Sequence, residues 1–306
     1  MKSAGRKKLK TAATKKSRQT KTRRLGSKGS SLRVISSRLG PKGKSNLITL
    51  LTDFGSADYF VAAMKGVILS YNPAARIVDI THEVSPQDTE EAAFTLLAAH
   101  SAFPKGTIHV AVVDPGVGSD RRAILVQAAG QFFVGPDNGI FSYICDESKP
   151  KVFQVTNSVW FRQAVSHTFH GRDVFAPLAS WLSLGATPKR MGKEISDYVR
   201  LPPLQPDTSQ NGVITGRVIH IDHFGNCVTN ITQQEFTELV KDGFRLTIND
   251  QHVDTLRSFF AEETRENEPF CIWGSAGFLE IAAKNRSAAK LLNVKRGEAV
   301  VVTRES

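Results

Sequence analysis

The sequence has few cysteines and no long hydrophobic run, and each shortage excludes a class of protein. Only three cysteines occur among 306 residues, at wide spacings and without a Cys-x-x-Cys pair: Cys145, Cys227 and Cys271. This argues against a disulfide framework or a structural zinc site, and for a reducing compartment. The apolar run Leu47–Leu51 is far too short to cross a bilayer. We therefore predict a cytoplasmic protein with no membrane partner and no metal.

Asp and Glu are absent from the first 46 residues, which carry sixteen Lys and Arg. The remaining chain holds 24 basic and 29 acidic residues, so the net charge of +11 comes from this segment alone. Because the segment is also poor in large apolar residues, it cannot offset its ordering entropy, and we predict a disordered basic tail over 1–46. Three roles stay open for it: an organelle-targeting peptide, a polyanion-binding arm or a solvated extension. Nucleic-acid binding would rest on this tail only.

After the tail, strand-like and helix-like segments alternate, which predicts an α/β fold with a mostly parallel sheet. Helical spacing of apolar residues predicts helices at Ala57–Tyr71, Thr89–His100 and Asp173–Leu184. Short β-prone runs predict strands at Leu47–Leu51, Arg76–Ile80, Thr107–Val113, Ala123–Ala128, Gln131–Val134 and Val152–Val155.

The pattern changes after Leu201–Asp207, where three prolines and polar residues predict a linker. Short strand-like runs follow, interrupted by one predicted helix at Gln233–Val240. We predict an N-terminal α/β domain over 47–200, a linker over 201–212, and a smaller β-rich, barrel-like domain over 213–306.

Three polar clusters are candidates for chemistry, because ligands of open α/β sheets bind at the carboxyl ends of strands. Asp53 follows the first predicted strand, and the loop Asp114–Arg122 follows the third with opposite charges at Asp114 and Arg121. The segment His167–Asp173 places imidazoles beside a predicted helix N-terminus.

Each cluster also has a structural explanation. Asp53 and Asp173 fit helix caps or turn residues, and Asp114 with Arg121 fits a structural ion pair. His167 and His170 are possible metal ligands, but their only nearby acid is Asp173. The glycines of the Asp114–Arg122 loop match neither known phosphate-binding pattern.

The predicted second domain contributes two further motifs, Asp222–Asn226 and Trp273–Glu280. Aromatic rings beside Asn, Ser and acidic side chains suit a purine, although such rings are more often part of a core. Taken by themselves, the residues predict a polar cleft at a domain or subunit boundary.

Several motifs in one order resemble the S-adenosylmethionine (SAM) hydrolases, also called SAM hydroxide adenosyltransferases, which are relatives of fluorinating and chlorinating enzymes. The resemblance spans about 46–303. It is carried by Leu51–Gly55, Val113–Gly118, Gly135–Gly139, Phe169–Asp173 and Ile221–Asn226.

The resemblance implies an α/β domain followed by a β-barrel domain, and a homotrimer whose active sites lie between neighbouring subunits. It implies that water splits SAM into adenosine and methionine without a cofactor. It places Asp114, Arg121 and His170 around the attacking water, and Asp53 on the ribose hydroxyls. It assigns the methionine and adenine portions to Asp222, Phe224, Asn226, Trp273, Ser275 and Glu280.

The sequence departs from the halogenating relatives at several of these positions. They carry Tyr-Ser in place of His170-Gly171, lack an aspartate at position 114, and have an insertion at Ala128–Gly130. They also have an arginine for the methionine carboxylate where this chain has Ala276. We therefore expect no halide site. A halide-using adenosyl transferase and a non-catalytic SAM- or adenosine-binding protein remain the alternatives.

Overall fold

Two β-sheets follow one another along the chain in the computed structural model, which describes residues 46–209, 212–240, 243–262 and 268–304. Seven strands between residues 47 and 195 form the first sheet, and nine strands between 207 and 304 form the second. The predicted basic tail lies outside the described residues, apart from Asn46.

The first part of the described chain alternates strands and helices. Its strands are β1 (Leu47–Thr52), β2 (Arg76–Thr81), β3 (Ile108–Val112), β4 (Ala123–Ala128), β5 (Gln131–Pro136), β6 (Lys151–Val155) and β7 (Gly192–Ile195). Its α-helices are α1 (Phe60–Tyr71), α2 (Thr89–His100), α3 (Ser142–Asp146), α4 (Ala176–Ser183) and α5 (Pro188–Met191). A 3₁₀ turn covers Ser158–Trp160, and a π-helical turn covers Gly171–Phe175.

The predicted α/β architecture is confirmed, and the sheet itself is mixed. Its order is β2-β1-β3-β5-β4-β6-β7, and the pairings among β2, β1, β3 and β5 are parallel. The strands β4, β6 and β7 join in antiparallel orientation. The change of direction follows from the link Ala129-Gly130, where both residues have positive φ and close a tight hairpin.

Parallel pairing brings the first two candidate loops together. Strands β1 and β3 are direct neighbours, with Thr52 opposite Val112. Asp53 and Asp114 therefore both emerge at the carboxyl edge of adjacent parallel strands, where α/β proteins bind ligands. Both strands are buried along almost their whole length, so the edge has a rigid base.

Helix starts differ from the sequence prediction at two places next to this edge. Helix α1 begins at Phe60 instead of Ala57, because residues 53–59 form bends instead of a helical turn. The helix predicted from Asp173 begins as the π-helical turn at Gly171 and becomes α-helical only at Ala176. Single π-helical turns within helices are frequently found at functional sites.

The second part of the chain is β-rich as predicted, and its sheet curls into a half-barrel. Its strands are β8 (Asp207–Thr208), β9 (Ile214–Ile221), β10 (Cys227–Thr232), β11 (Phe244–Ile248), β12 (Gln251–Val253), β13 (Leu256–Arg257), β14 (Pro269–Trp273), β15 (Phe278–Ala283) and β16 (Ala299–Arg304). Their order is β12-β11-β16-β9-β10-β15-β14-β13, with β8 paired to β9. Helices α6 (Gln233–Leu239) and α7 (Ala288–Leu291) complete this part.

Strand β10 was not predicted, because buried polar residues interrupt its apolar pattern. Asn230 is 2% exposed, accepts a hydrogen bond from the Arg217 N–H at 2.7 Å and donates to the Leu204 carbonyl at 2.7 Å. The partners that make this burial tolerable lie far away in the sequence, and one belongs to the predicted linker.

The second sheet packs against the beginning of α2. Apolar side chains of both parts form a common cluster: Ala93, Phe94, Tyr143, Ile219, Val228 and Phe278. Ion pairs border it, with Arg217 on Glu90 at 2.7 Å and Arg296 on Asp88 at 2.5 Å. The domain boundary over 201–212 stays a prediction.

The three cysteines are buried free thiols. Among the helices that the structure describes, none has both the length and the apolar character needed to span a membrane.

Candidate active site

A guanidinium group joins a carboxylate and an imidazole at the carboxyl edge of the first sheet. The Arg121 Nε donates to both oxygens of Asp114, at 2.9 and 3.1 Å, and Arg121 Nη2 also donates to Asp114 Oδ2. The same Nη2 lies 2.7 Å from His170 Nδ1. The structure thus brings together Asp114, Arg121 and His170, which we call the triad.

The triad is largely shielded from water. The side chains of Arg121 and Asp114 are 11% and 6% exposed, and the guanidinium carbon lies 5.2 Å from the centre of the Phe175 ring. A buried charge needs a partner, and the two-pronged contact with Asp114 supplies one for Arg121. Low exposure also strengthens the electrostatic interaction between these groups.

The imidazole of His170 is neutral near pH 7. Burial lowers its pKa below 6.5, and the neighbouring positive charge of Arg121 lowers it further, against a weaker raising effect of Asp114. Because a guanidinium only donates hydrogen bonds, His170 Nδ1 is the acceptor, which places the ring proton of the neutral form on Nε2.

A compact loop carries Asp114 and Arg121. Two turns shape it: the Val117 N–H donates to the Asp114 carbonyl, and the Ser119 N–H donates to the Gly116 carbonyl. Gly118 has a φ of +81°, and a Cβ there would lie 2.3 Å from the His167 carbonyl oxygen. Glycine is therefore required where this loop packs against the segment that carries His170.

The segment that carries His170 is anchored by Asp173. This carboxylate is fully buried, accepts from Arg172 Nε at 2.7 Å and Nη2 at 2.8 Å, and accepts from the Ser166 N–H at 2.9 Å. Arg162 adds a contact at 3.3 Å. Asp173 is thus a structural residue, but it lies inside the π-helical turn and does not cap a helix, as the structural interpretation of the sequence had suggested.

Asp53 shares a cavity of about 400 Å³ with two members of the triad, Asp114 and His170. Its Oδ2 accepts a hydrogen bond from the Gln87 N–H at 2.8 Å, which holds the carboxylate in place. Aromatic rings form part of the wall, and adjacent pairs lie 5.2 to 5.9 Å apart between ring centres: Phe54, Phe60 and Phe169.

The six candidates of the second sheet line a different cavity, of about 1170 Å³: Asp222, Phe224, Asn226, Trp273, Ser275 and Glu280. Asp222 accepts from the N–H groups of Phe224 and Asn226 at 2.9 and 2.8 Å, and from Asn226 Nδ2 at 2.8 Å. This network fixes the turn after β9 and leaves Phe224 75% exposed.

Glu280 is packed beneath a glycine. A Cβ on Gly274 would lie 1.8 Å from Glu280 Oε1, so the missing side chain makes room for the carboxyl group. Burial raises the pKa of Glu280 above its usual value, and the charge of Asp222 raises it further.

We call the cavity beside Asp53, Asp114 and His170 the first cavity, and the cavity lined by the six candidates the second cavity. Among the described parts of the chain, the two cavities share no residue. The structure therefore gathers Asp53 with the triad, and separately gathers the six candidates of the second sheet. Sequence reasoning missed Gln87, and it missed the pair Phe259 and Phe260, which are 57% and 49% exposed at the second cavity. The signal for this pair was two adjacent large apolar residues in a polar segment.

In the described residues, no three His, Cys, Asp or Glu side chains form a group that would hold a metal. His167 is exposed, and His170 is bound by Arg121.

Comparison with known proteins gives the family. The model of the SAM hydroxide adenosyltransferase N-terminal domain matches residues 48–192, and that of the C-terminal domain matches residues 216–301. The chain belongs to the SAM hydroxide adenosyltransferase family. The resemblance read from the sequence motifs is thereby confirmed.

Relatives of this chain include an (R)-S-adenosyl-L-methionine hydrolase of Methanocaldococcus jannaschii. It is 37% identical over 262 residues, which cover 81% of this chain and 92% of the relative. A fluorinase of an Actinoplanes species is more distant, at 28% identity over 86% of this chain and 99% of the fluorinase. A crystal structure of an uncharacterised conserved protein from Thermotoga maritima is similar with a TM-score of 0.79 and 35% identity, covering 84% of this chain and all of that one (100%).

We predict that Asp173→Asn destabilises the protein by about 2–4 kcal/mol near pH 7, because two arginines lose the charge of a buried partner. Burial alone would raise the pKa of Asp173, but the hydrogen bonds from Arg172 and Ser166 and the nearby positive charges outweigh it and keep the pKa below 3.8. The stabilisation is therefore complete above the unfolded pKa of about 4 and is lost as the pH falls through the folded value.

Denaturant melts of the wild type and of Asp173→Asn between pH 3 and pH 7 test this. The difference between their free energies of unfolding should become smaller as the pH falls. Asp146→Asn, which removes an exposed partner of Arg200, is the control and should cost under about 1 kcal/mol. Equal stabilities at pH 7, or a gap that widens in acid, would contradict the role assigned to Asp173.

Proposed function

We propose that this chain hydrolyses SAM to adenosine and methionine. The observation that carries the proposal is the convergence of Asp114 and His170, joined by Arg121, on the cavity that also holds Asp53. The family, and a relative 37% identical to this chain that is named an (R)-S-adenosyl-L-methionine hydrolase, support the same reaction.

The reaction is a displacement at the 5′ carbon of the ribose. The oxygen of water forms a bond to that carbon while the carbon–sulfur bond breaks, and the bonding pair returns to sulfur as methionine leaves. One proton of the water is released. The sulfonium is already a good leaving group, so the enzyme chiefly has to position and activate the water. For this reason we propose that no metal or redox cofactor takes part.

The triad supplies both functions in our proposal. Asp114 lines the cavity and accepts the proton, and the Nε2–H of neutral His170 orients the water oxygen. Arg121 holds these two groups in register and stabilises the negative charge that develops on the oxygen. His170 does not accept this proton, because Arg121 occupies Nδ1 and Nε2 already carries a hydrogen.

Asp53 is suited to the ribose. A carboxylate held by the Gln87 N–H keeps free lone pairs that accept from two vicinal hydroxyls. Its place in the same cavity as Asp114 and His170 supports a sugar bound next to the proposed water.

The second cavity is suited to the remaining parts of SAM. Exposed Phe224 and the ring of Trp273 offer apolar faces to a purine, and Asn226 and Ser275 line the same cavity. Asp222 and Glu280 provide an acidic floor for the ammonium of the methionine portion. Ala276 provides no charge for the carboxylate.

We further propose a homotrimer in which the first cavity of one subunit faces the second cavity of its neighbour. The separation of the two residue sets within one subunit supports this arrangement, since one SAM molecule needs both. The buried free thiols support a cytoplasmic location.

Incubation with SAM in water enriched in heavy oxygen tests the reaction type. We expect adenosine that carries one heavy oxygen at its 5′ position, because the hydroxyl comes from solvent. Added chloride should give no 5′-chloro nucleoside. Gly171 stands where halogenating relatives carry serine. A serine side chain would have little room there, because its Cβ would lie 3.1 Å from Met64 Sδ. Tight SAM binding without adenosine, or a halogenated product, would refute the proposal.

Co-expression of two weakened variants tests the shared site. Arg121→Ala disables the first cavity, and Asp222→Asn removes the charge from the second while keeping the size of the side chain. In randomly mixed closed rings about a quarter of the sites pair two intact halves, so activity should recover to about a quarter of wild type. The separately purified variants are the controls. A mixture no more active than their average would show that each site lies within one subunit.

A further inference from the structure

The motif Gly135–Gly139 has no role in the site described so far, although it lies beside it. It forms the end of β5 and the turn that follows. A Cβ on Gly135 would lie 2.3 Å from the Ala111 carbonyl oxygen, so β5 approaches β3 as closely as glycine allows. The motif is therefore packed directly against the strand that leads to Asp114.

Asn138 contacts the residue before Asp114. Its Nδ2 donates to the Val113 carbonyl at 2.8 Å, and its Oδ1 accepts from the Ile140 N–H at 3.3 Å. The first bond fixes the peptide that joins Val113 to Asp114. The direction in which the Asp114 side chain leaves the backbone depends on the orientation of this peptide.

Asp137 contacts the residue after Arg121. Its Oδ2 accepts from Arg122 Nε at 2.7 Å, and its own N–H donates to the Arg122 carbonyl at 3.0 Å. Asp137 is buried, and its Oδ1 accepts from the Val199 N–H at 2.9 Å. The carboxylate is thus itself fixed from two sides.

Two consecutive residues therefore hold both ends of the loop that carries Asp114 and Arg121. We propose that Asp137 and Asn138 are positioning residues that set the geometry of the triad through this loop. The proposal rests on the proposed function, because it assigns the loop to catalysis. It accounts for the motif without a contact to substrate.

The test compares Asn138→Ala with Asn72→Ala. Asn72 is a matched control: its Oδ1 accepts from the backbone N–H two residues later at 3.1 Å, and its Nδ2 donates to Ser183 Oγ at 2.9 Å. It lies between α1 and β2, at the edge of the sheet opposite the triad. Each variant loses one hydrogen bond accepted from a nearby backbone N–H and one donated by the side-chain amide, so both should lose some stability.

For Asn138→Ala we expect kcat to fall about 10- to 100-fold with KM for SAM within about threefold of wild type, because a small displacement of catalytic groups mainly affects the transition state. Hydrogen exchange of the amides in 114–121 should become faster. Asn72→Ala should change neither. Asn138→Asp, which retains the acceptor for Ile140 and removes the donor to Val113, should behave as Asn138→Ala does.

The proposal would be overturned if both Asn138 variants kept the wild-type kcat, or if Asn72→Ala lost as much kcat as Asn138→Ala. It would also be overturned if KM for SAM rose in the Asn138 variants by as much as kcat fell. Unchanged amide exchange in 114–121 would also overturn it, whether or not the protein turns over SAM. Failure of the proposed function would show separately, as wild-type protein that yields no adenosine.

Discussion

The contact of one guanidinium with a carboxylate and an imidazole is the interaction on which this site depends. Arg121 reaches Asp114 with two nitrogens and His170 with one, in surroundings largely closed to water. The contact fixes which nitrogen of His170 carries the proton, and it keeps two buried charges paired. A flexible ammonium in place of the planar guanidinium would not present these donors in one plane.

The fold brings these three side chains together from two distant segments of the chain. Adjacent parallel strands β1 and β3 deliver Asp53 and Asp114 to one edge of the sheet. Buried Asp173 anchors the segment that carries His170. The loop that carries Asp114 and Arg121 packs closely against this segment at Gly118. The second sheet packs on α2, yet its own cavity is separate from the triad. One substrate that spans both cavities would couple catalysis to assembly.

Much of this arrangement follows from local sequence patterns. The apolar runs of β1 and β3 predicted buried strands, and so placed Asp53 and Asp114 at a shared edge. What the sequence could not give depends on distant partners. Strand β10 was missed because Asn230 is satisfied by Arg217 and Leu204. The π-helical turn at Gly171 and the role of Asp173 depend on contacts with other segments, which helical periodicity does not encode.

A double-mutant cycle on kcat tests the central claim that the triad acts as one unit. Variants Arg121→Ala, His170→Ala and the double variant are compared under saturating SAM, with adenosine as the measured product. If Arg121 works by holding Asp114 and His170 together, the kcat of the double variant should lie within about threefold of the kcat of the less active single variant. KM for SAM should change little in all three variants. Losses that multiply in the double variant would contradict the account, because they would show that the two side chains act independently.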